Sequence, residues 1–153
     1  MKNLVIIAHD PSPNTQTMVQ AVLEGAGDAA IDGVSSRHVR PLDAGPDDVL
    51  QADAVIFGTT ENLGYMSGAL KDFFDRCFYE LLDKTDAMPF AVFIRAGKDG
   101  TGTRRAIESI CGGLNWKQAQ EPLICRGDWD DAFLDQCREL GMTMAAGLEA
   151  GAF

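Results

Sequence analysis

Ser12, Asn14, Thr15, Gln16 and Thr17 crowd short hydroxyl and amide donors into one stretch, just after the apolar run Leu4-Val5-Ile6-Ile7-Ala8 and the loop residues His9-Asp10-Pro11. Donors of this kind where a helix begins suit a phosphate monoester, because backbone N–H groups at a helix N-terminus attract an anion without a full opposing charge. A second stretch, Gly58-Thr59-Thr60-Glu61-Asn62-Leu63-Gly64-Tyr65-Met66-Ser67-Gly68, follows the apolar run Ala54-Val55-Ile56-Phe57. Its Gly64 and Gly68 flank Met66 and Ser67 and leave backbone amides that could read the edge of a ring. A third stretch, Arg95-Ala96-Gly97-Lys98-Asp99-Gly100-Thr101-Gly102-Thr103, follows Phe90-Ala91-Val92-Phe93-Ile94, and its glycines permit close backbone approach to a flat ligand. Plainer readings stand beside these. Asn and Thr cap helices routinely, and Ser67 reads equally as the cap of an ordinary strand-to-helix turn. Arg95 and Lys98 read as solvated loop charges, His9 as a loop histidine bonded locally, and Asp10 as a turn former ahead of Pro11. The Gly-Lys of the third stretch is no P-loop, because the Gly-x4-Gly-Lys-Ser/Thr spacing is absent.

The elements that must position these loops alternate. Continuous apolar runs of strand length suit parallel strands covered on both faces, and weaker strands are expected at Ser35–Arg40 and Pro122–Cys125, which makes five. Between them, Met18, Val19, Val22 and Leu23 mark one helix face. Leu70, Phe73, Phe74, Cys77, Phe78, Leu81 and Leu82 mark a longer one, with charged residues opposite. Ile107, Ile110, Cys111 and Leu114 give a third face that ends at Gly112-Gly113, and Trp129, Phe133, Cys137, Leu140 and Met144 a terminal one. A short helix is expected near Asp47–Gln51. Right-handed crossovers turn this alternation into an α/β three-layer sandwich with a parallel sheet in the order 2-1-3-4-5. In that order the switch point lies between the first and third strands, so all three stretches meet at one crevice.

A chain of 153 residues is expected to form a single domain over 1–153. No apolar stretch approaches a membrane span and the N-terminal run is too short for a secretory signal, so the expectation is a cytoplasmic protein with no membrane partner. The four cysteines are widely spaced and only two histidines accompany them, which reads as free thiols and no metal site. A formal charge of −10 repels nucleic acid, so local dipoles rather than a basic face must hold any phosphate.

Ser12-Pro13-Asn14-Thr15 resembles the Thr-Gly-Asn-Thr phosphate loop of the flavodoxin-like FMN-binding superfamily. Gly58-Thr59, Gly64-Tyr65-Met66-Ser67-Gly68 and Lys71-Phe74-Asp75 are similar to the segment over which flavodoxin-like NAD(P)H:quinone and FMN reductases bind the isoalloxazine. The element order matches over nearly the whole chain. The resemblance implies a flavodoxin-like fold and an FMN-binding oxidoreductase that passes electrons from NAD(P)H to a quinone or other small acceptor. It implies that Ser12, Asn14, Thr15, Gln16 and Thr17 hold the phosphate and that Thr59, Thr60, Glu61, Asn62, Leu63, Gly64, Tyr65 and Met66 border the ring. Ala96, Gly97, Lys98 and Gly100 would meet its pyrimidine side. No side chain is required as a catalytic acid or base, since the cofactor carries the chemistry. A homodimer is also implied, because related reductases often complete the flavin site across a subunit interface.

Two residues depart from the pattern. Pro13 removes a backbone N–H from the phosphate loop, and Glu61 brings negative charge near the ring, which disfavours NADPH relative to NADH. Two alternatives share the fold: an electron-carrier flavodoxin, which passes single electrons to a protein, and a flavin-free binding module. A phosphoacceptor receiver domain fails, because Gly58 stands where its aspartate belongs and Cys125-Arg126 where its lysine belongs.

Overall fold

The computed structural model describes all residues, Met1–Phe153. Seven strands and five helices follow in the order β1 (Lys2–Ala8), α1 (Pro13–Ala26), β2 (Val34–Val39), α2 (Pro46–Leu50), β3 (Ala54–Asn62), β4 (Tyr65–Met66), α3 (Gly68–Leu81), β5 (Pro89–Ala96), α4 (Thr101–Gly113), β6 (Lys117–Gln118), β7 (Leu123–Arg126) and α5 (Ala132–Ala150). The sheet runs β2-β1-β3-β5-β6, with β4 paired to β3 and β7 paired to β5.

The flavodoxin-like α/β architecture is the one expected, and the count and order of strands differ in detail. Five strands in the order 2-1-3-4-5 become seven, for two reasons. First, β3 continues beyond the sheet and folds back as an antiparallel hairpin with β4, pairing Glu61 with Met66 and Asn62 with Tyr65. Second, the edge strand is broken into β6 and β7. Both lie parallel along β5, Pro89 facing Lys117 and Phe93 facing Leu123. The chain leaves the sheet between them.

Alternate residues of the central strands feed two cores, as the period of a strand requires. Leu4, Ile6, Ile56, Ala91 and Phe93 pack beneath α1 and α5. Val5, Ile7, Val55, Phe57, Val92 and Ile94 pack beneath α3 and α4 on the opposite face. There Phe57 stacks on Trp116 with ring centroids 5.9 Å apart, and Trp116 Nε1 donates to Thr85 Oγ1 at 2.8 Å. On the first face α1 and α5 touch backbone to backbone. A Cβ on Gly141 would overlap the Val22 carbonyl, and one on Gly25 the Arg138 carbonyl.

The helical faces read from the sequence are those that pack on the core, although Leu82 and Leu114 fall at the C-caps of α3 and α4 rather than within them. Trp129 precedes α5 rather than lying in it, because Asp131 begins the helix and accepts from Trp129 Nε1 at 3.0 Å. All four cysteines are buried and free. No helix is long and apolar enough to cross a membrane.

Candidate functional site

β1, β3 and β5 are neighbours in the sheet and run parallel, so their carboxyl ends lie side by side at one edge. His9 N–H donates to Gly58 O at 2.9 Å, which ties the first loop to β3. On the other side, Gly102 in the first turn of α4 lies so close to the hairpin tip that an added Cβ would overlap the Gly64 carbonyl. Thr103 Oγ1, also in α4, reaches Glu61 Oε2 at 3.4 Å. Loop, hairpin and helix start are therefore physically continuous.

In the first loop, Ser12 is the N-cap of α1 and shares a reciprocal capping box with Thr15. Thr15 N–H donates to Ser12 Oγ at 3.2 Å, and Ser12 N–H donates to Thr15 Oγ1 at 3.0 Å. Thr17 Oγ1 donates to the Asn14 carbonyl at 2.7 Å. These hydroxyls thus satisfy the helix end itself. Pro13 has no N–H to offer. What remains directed outward is the Asn14 N–H with its exposed carboxamide, and the exposed Gln16, whose Nε2 lies 3.5 Å from the Asp10 carbonyl.

The second stretch is the β3–β4 hairpin. Its two-residue turn, Leu63-Gly64, has φ of 54° and 77°, the positive pair that a type I′ turn demands. Leucine in that region costs about 1 kcal/mol, yet the side chain is fully exposed at the hairpin tip. Below the tip, Thr59 Oγ1 donates to the Thr60 carbonyl and accepts from Ser67 N–H at 3.0 Å, fixing the hairpin to the start of α3. Thr60 and Asn62 bond to each other at 3.0 Å. Tyr65 is exposed, whereas Met66 is buried in the core under α3. Gly58 is small for the sheet's sake, because a Cβ would run into the Phe93 ring.

In the third stretch Ala96 is buried, Gly97 and Lys98 are exposed, and Gly100, at φ 82°, packs on Ile124. Lys98 makes no ion pair. Arg95 is no solvated loop charge. Its Nη1 donates to the carbonyls of Ala96 at 2.8 Å and Cys125 at 3.0 Å, and its Nη2 to Gly127 at 2.7 Å. The guanidinium also lies over Phe133, 5.0 Å from the ring centroid. It welds the loop after β5 to the loop after β7.

Two polar residues at the site were not read from the sequence as site residues. Asp10, 7 % exposed, is paired with Arg40 at 2.8 Å, and the pair separates two clefts. One, about 280 Å³, is lined by His9, Pro11, Pro41, Leu42 and Ala69; the other, about 460 Å³, by Gln16, Thr17, Gln20 and His38. Burial lowers the His9 pKa, and neighbouring Asp10 opposes that shift. His38 Nε2 lies 3.0 Å from the Ala8 carbonyl. The signal for Arg40 is positional: it follows the strand adjacent to β1, so its side chain reaches the loop after β1.

Among known proteins, the sequence matches the profile of the NADPH-dependent FMN reductases over residues 38–120, more than half of the chain. The chain belongs to the NADPH-dependent FMN reductase family. The family lies within the flavodoxin-like FMN-binding superfamily. The matched span includes the hairpin and the loop after β5 but not the loop after β1. A protein named flavodoxin from Aquifex aeolicus is 32% identical over 110 residues, covering 72% of this chain and 58% of its own length. The chain thus spans little more than half of that relative. Among solved structures, a flavodoxin from the domain Archaea superposes with a TM-score of 0.80 at 20% identity, covering 97% of this chain and 99% of its own. A flavodoxin described as WrbA-like from Agrobacterium tumefaciens superposes at 0.74 with 19% identity, covering 99% of both chains. These likenesses establish the shared fold.

The residues of this member of the family fit a phosphorylated flavin. Cβ atoms added at Gly64, Gly68 and Gly97 would meet nothing within 4 Å, so the backbone is open to close approach at the hairpin tip, at the start of α3 and in the third loop. Lys98, without an ion pair, follows Gly97 in that loop, and the Asn14 amides stand where α1 begins.

Proposed function

We propose that the protein holds FMN in the crevice between the loops after β1, β3 and β5 and passes electrons from NADH or NADPH to a quinone or another small acceptor. The observation carrying this reading is the continuity of three loops at the switch point of the sheet, two of them within the span that matches a family named for this cofactor. When bound, FMN supplies the electron transfer itself.

The work of the chain's own residues is binding and orientation. The Asn14 N–H and carboxamide take the phosphate, Gln16 stands beside them, and Ser12 caps the helix that presents them. Thr60, Glu61, Asn62, Leu63, Gly64 and Tyr65 border the ring, and the exposed apolar surface of Leu63 and Tyr65 suits a flat aromatic face. Gly97 and Lys98 set N–H groups and a cation beside the pyrimidine edge, where negative charge accumulates on reduction. Thr59, Thr15, Met66, Ala96 and Gly100 act from beneath, by fixing the loops that make these contacts. A cytoplasmic location, a single domain and a homodimer complete the proposal.

A second reading, an electron carrier that delivers to a protein, is favoured by the name of the Aquifex aeolicus relative and by the exposed apolar hairpin tip. One experiment separates the two. The purified protein is loaded with FMN, freed of excess, and titrated anaerobically with NADH and then NADPH while its visible absorbance is followed. Bleaching of the flavin bands by either donor at a catalytically competent rate is the expected result. Retained flavin that neither donor bleaches selects the carrier, and failure to retain flavin rejects both.

A further inference from the structure

Arg40 follows β2 and reaches across to Asp10 in the loop after β1. Its Nε donates to Asp10 Oδ1 at 2.8 Å and its Nη2 to Oδ2 at 3.4 Å. The partners are unequally placed: Asp10 is 7% exposed and Arg40 62%. The carboxylate therefore lies inward and the cation outward.

Because the guanidinium is gripped along its Nε edge, Nη1 and the second proton of Nη2 have no acceptor within the protein. A planar fork with a free edge matches two oxygens of a phosphate. Held in place beforehand, it gives up little side-chain freedom on binding. Arg40 borders the cleft of about 460 Å³ beside Gln16, Thr17 and Gln20 on the flank of α1 and His38 of β2. Asp10, already neutralised by the pair, is the one carboxylate in its lining. Asp43 also lies near the guanidinium, on the side of the other cleft, and toward this one the cation faces amides, a hydroxyl and an imidazole, a place suited to an anion in a chain carrying −10.

We propose that Arg40, clamped by Asp10, reads phosphate, and that the cleft it forms with Gln16, Gln20 and His38 binds a phosphate monoester of a nucleotide. The identity of that nucleotide rests on the proposed function, which offers two sources: the 5′-phosphate of FMN, and the 2′-phosphate that distinguishes NADPH from NADH. The event is binding alone, with no bond made or broken.

Two pairs of probes that differ only by the phosphate test it: FMN against riboflavin, and 2′-AMP against adenosine. Each is titrated into the intact chain, Arg40→Lys, Arg40→Gln and the double variant Asp10→Asn/Arg40→Gln, which removes both charges and strands no buried carboxylate. The wild type is expected to favour the phosphorylated member of one pair by about tenfold or more. Arg40→Gln and the double variant erase that preference, Arg40→Lys keeps part of it, and affinity for the unphosphorylated member stays constant. Loss in the flavin pair assigns the cleft to FMN. Loss in the adenosine pair assigns it to NADPH and brings a matching fall in kcat/KM for NADPH but not NADH. A preference that survives in the folded double variant, or no preference in the wild type, overturns the proposal. Arg40-dependent binding of 2′-AMP by a chain that binds no flavin rejects the FMN reading and upholds the cleft.

Discussion

Gly102→Ala separates the geometry of the site from the stability of the fold. The new methyl group would overlap the Gly64 carbonyl, well inside the 3.0 Å that Cβ atoms respect. The hairpin tip and the first turn of α4 must then part by at least about half an ångström. Overpacking costs about 1–3 kcal/mol in a closed core, but Leu63, Gly64 and Tyr65 are exposed and free to yield, so the lower end applies. Alanine returns up to about 1 kcal/mol of helix propensity. The net change in stability is therefore within about 1 kcal/mol, a shift in Tm of no more than about 4 °C for a chain of this size. The ring-binding backbone, in contrast, loses register across two loops together. Loss of one well-formed hydrogen bond, about 0.5–1.5 kcal/mol, raises the Kd for FMN by about two- to tenfold. Gly112→Ala is the control, because it lies in the same helix and its Cβ meets nothing within 4 Å. It should stabilise the fold by about 0.5–1 kcal/mol and leave FMN affinity alone. Flavin fluorescence titration and thermal unfolding of the three proteins give the answer. An unchanged Kd in Gly102→Ala, or an equal loss in Gly112→Ala, refutes the idea that hairpin and helix start form one wall of the site.

Asn14→Asp places a carboxylate where the phosphate is expected, so the Kd for FMN rises about tenfold or more while that for riboflavin holds. The same change favours the start of α1 by about 0.3–1 kcal/mol through the helix dipole, so a stability loss in urea denaturation would contradict the assignment. Arg95→Met drops three carbonyl bonds and the guanidinium over Phe133, and should cost about 2–4 kcal/mol of unfolding free energy in urea while loosening the loop from Ala96 to Gly100. His9 has its pKa lowered in the folded chain by burial, so the unfolded chain binds the proton more readily. Its contribution is complete above about pH 6.5 and is lost as the pH falls below that value. His9→Gln should therefore reduce the stability lost between pH 7.5 and pH 5.5, and an identical pH profile in the variant would contradict this.

The parallel strands were legible because they are covered on both faces, and a continuous apolar run such as Leu4–Ala8 or Ala54–Phe57, too short for a buried helix, suits little else. The helices announced themselves by apolar spacing. The hairpin did not, because its turn carries leucine where Asn or Gly would have signalled positive φ. Lys117 and Gln118 are polar and exposed, so nothing in their chemistry marks a sheet edge. For the site, loops could be read but partners could not. Arg40 and Asp10 lie 30 positions apart, and although the expected order sets their strands side by side, it does not say which way the Arg40 side chain turns. Arg95 looked like a loop charge because its acceptors, the carbonyls of Cys125 and Gly127, are backbone atoms with no sequence signature. Ser12 and Thr15 were read as ligand donors. Their mutual capping box depends on which way two hydroxyls turn, which composition does not encode.

The divided edge strand bears on how the molecule behaves in a crowded solution. An uninterrupted outer strand offers a row of free amides and carbonyls on which another chain can stack, the first step toward fibrils or swapped assemblies. Here that row is cut into pieces of two and four residues, with Pro122, which has no amide hydrogen, immediately before the longer one. Neither fragment is long enough to template a foreign strand, so this border of the sheet is protected from runaway association by a gap rather than by a cover.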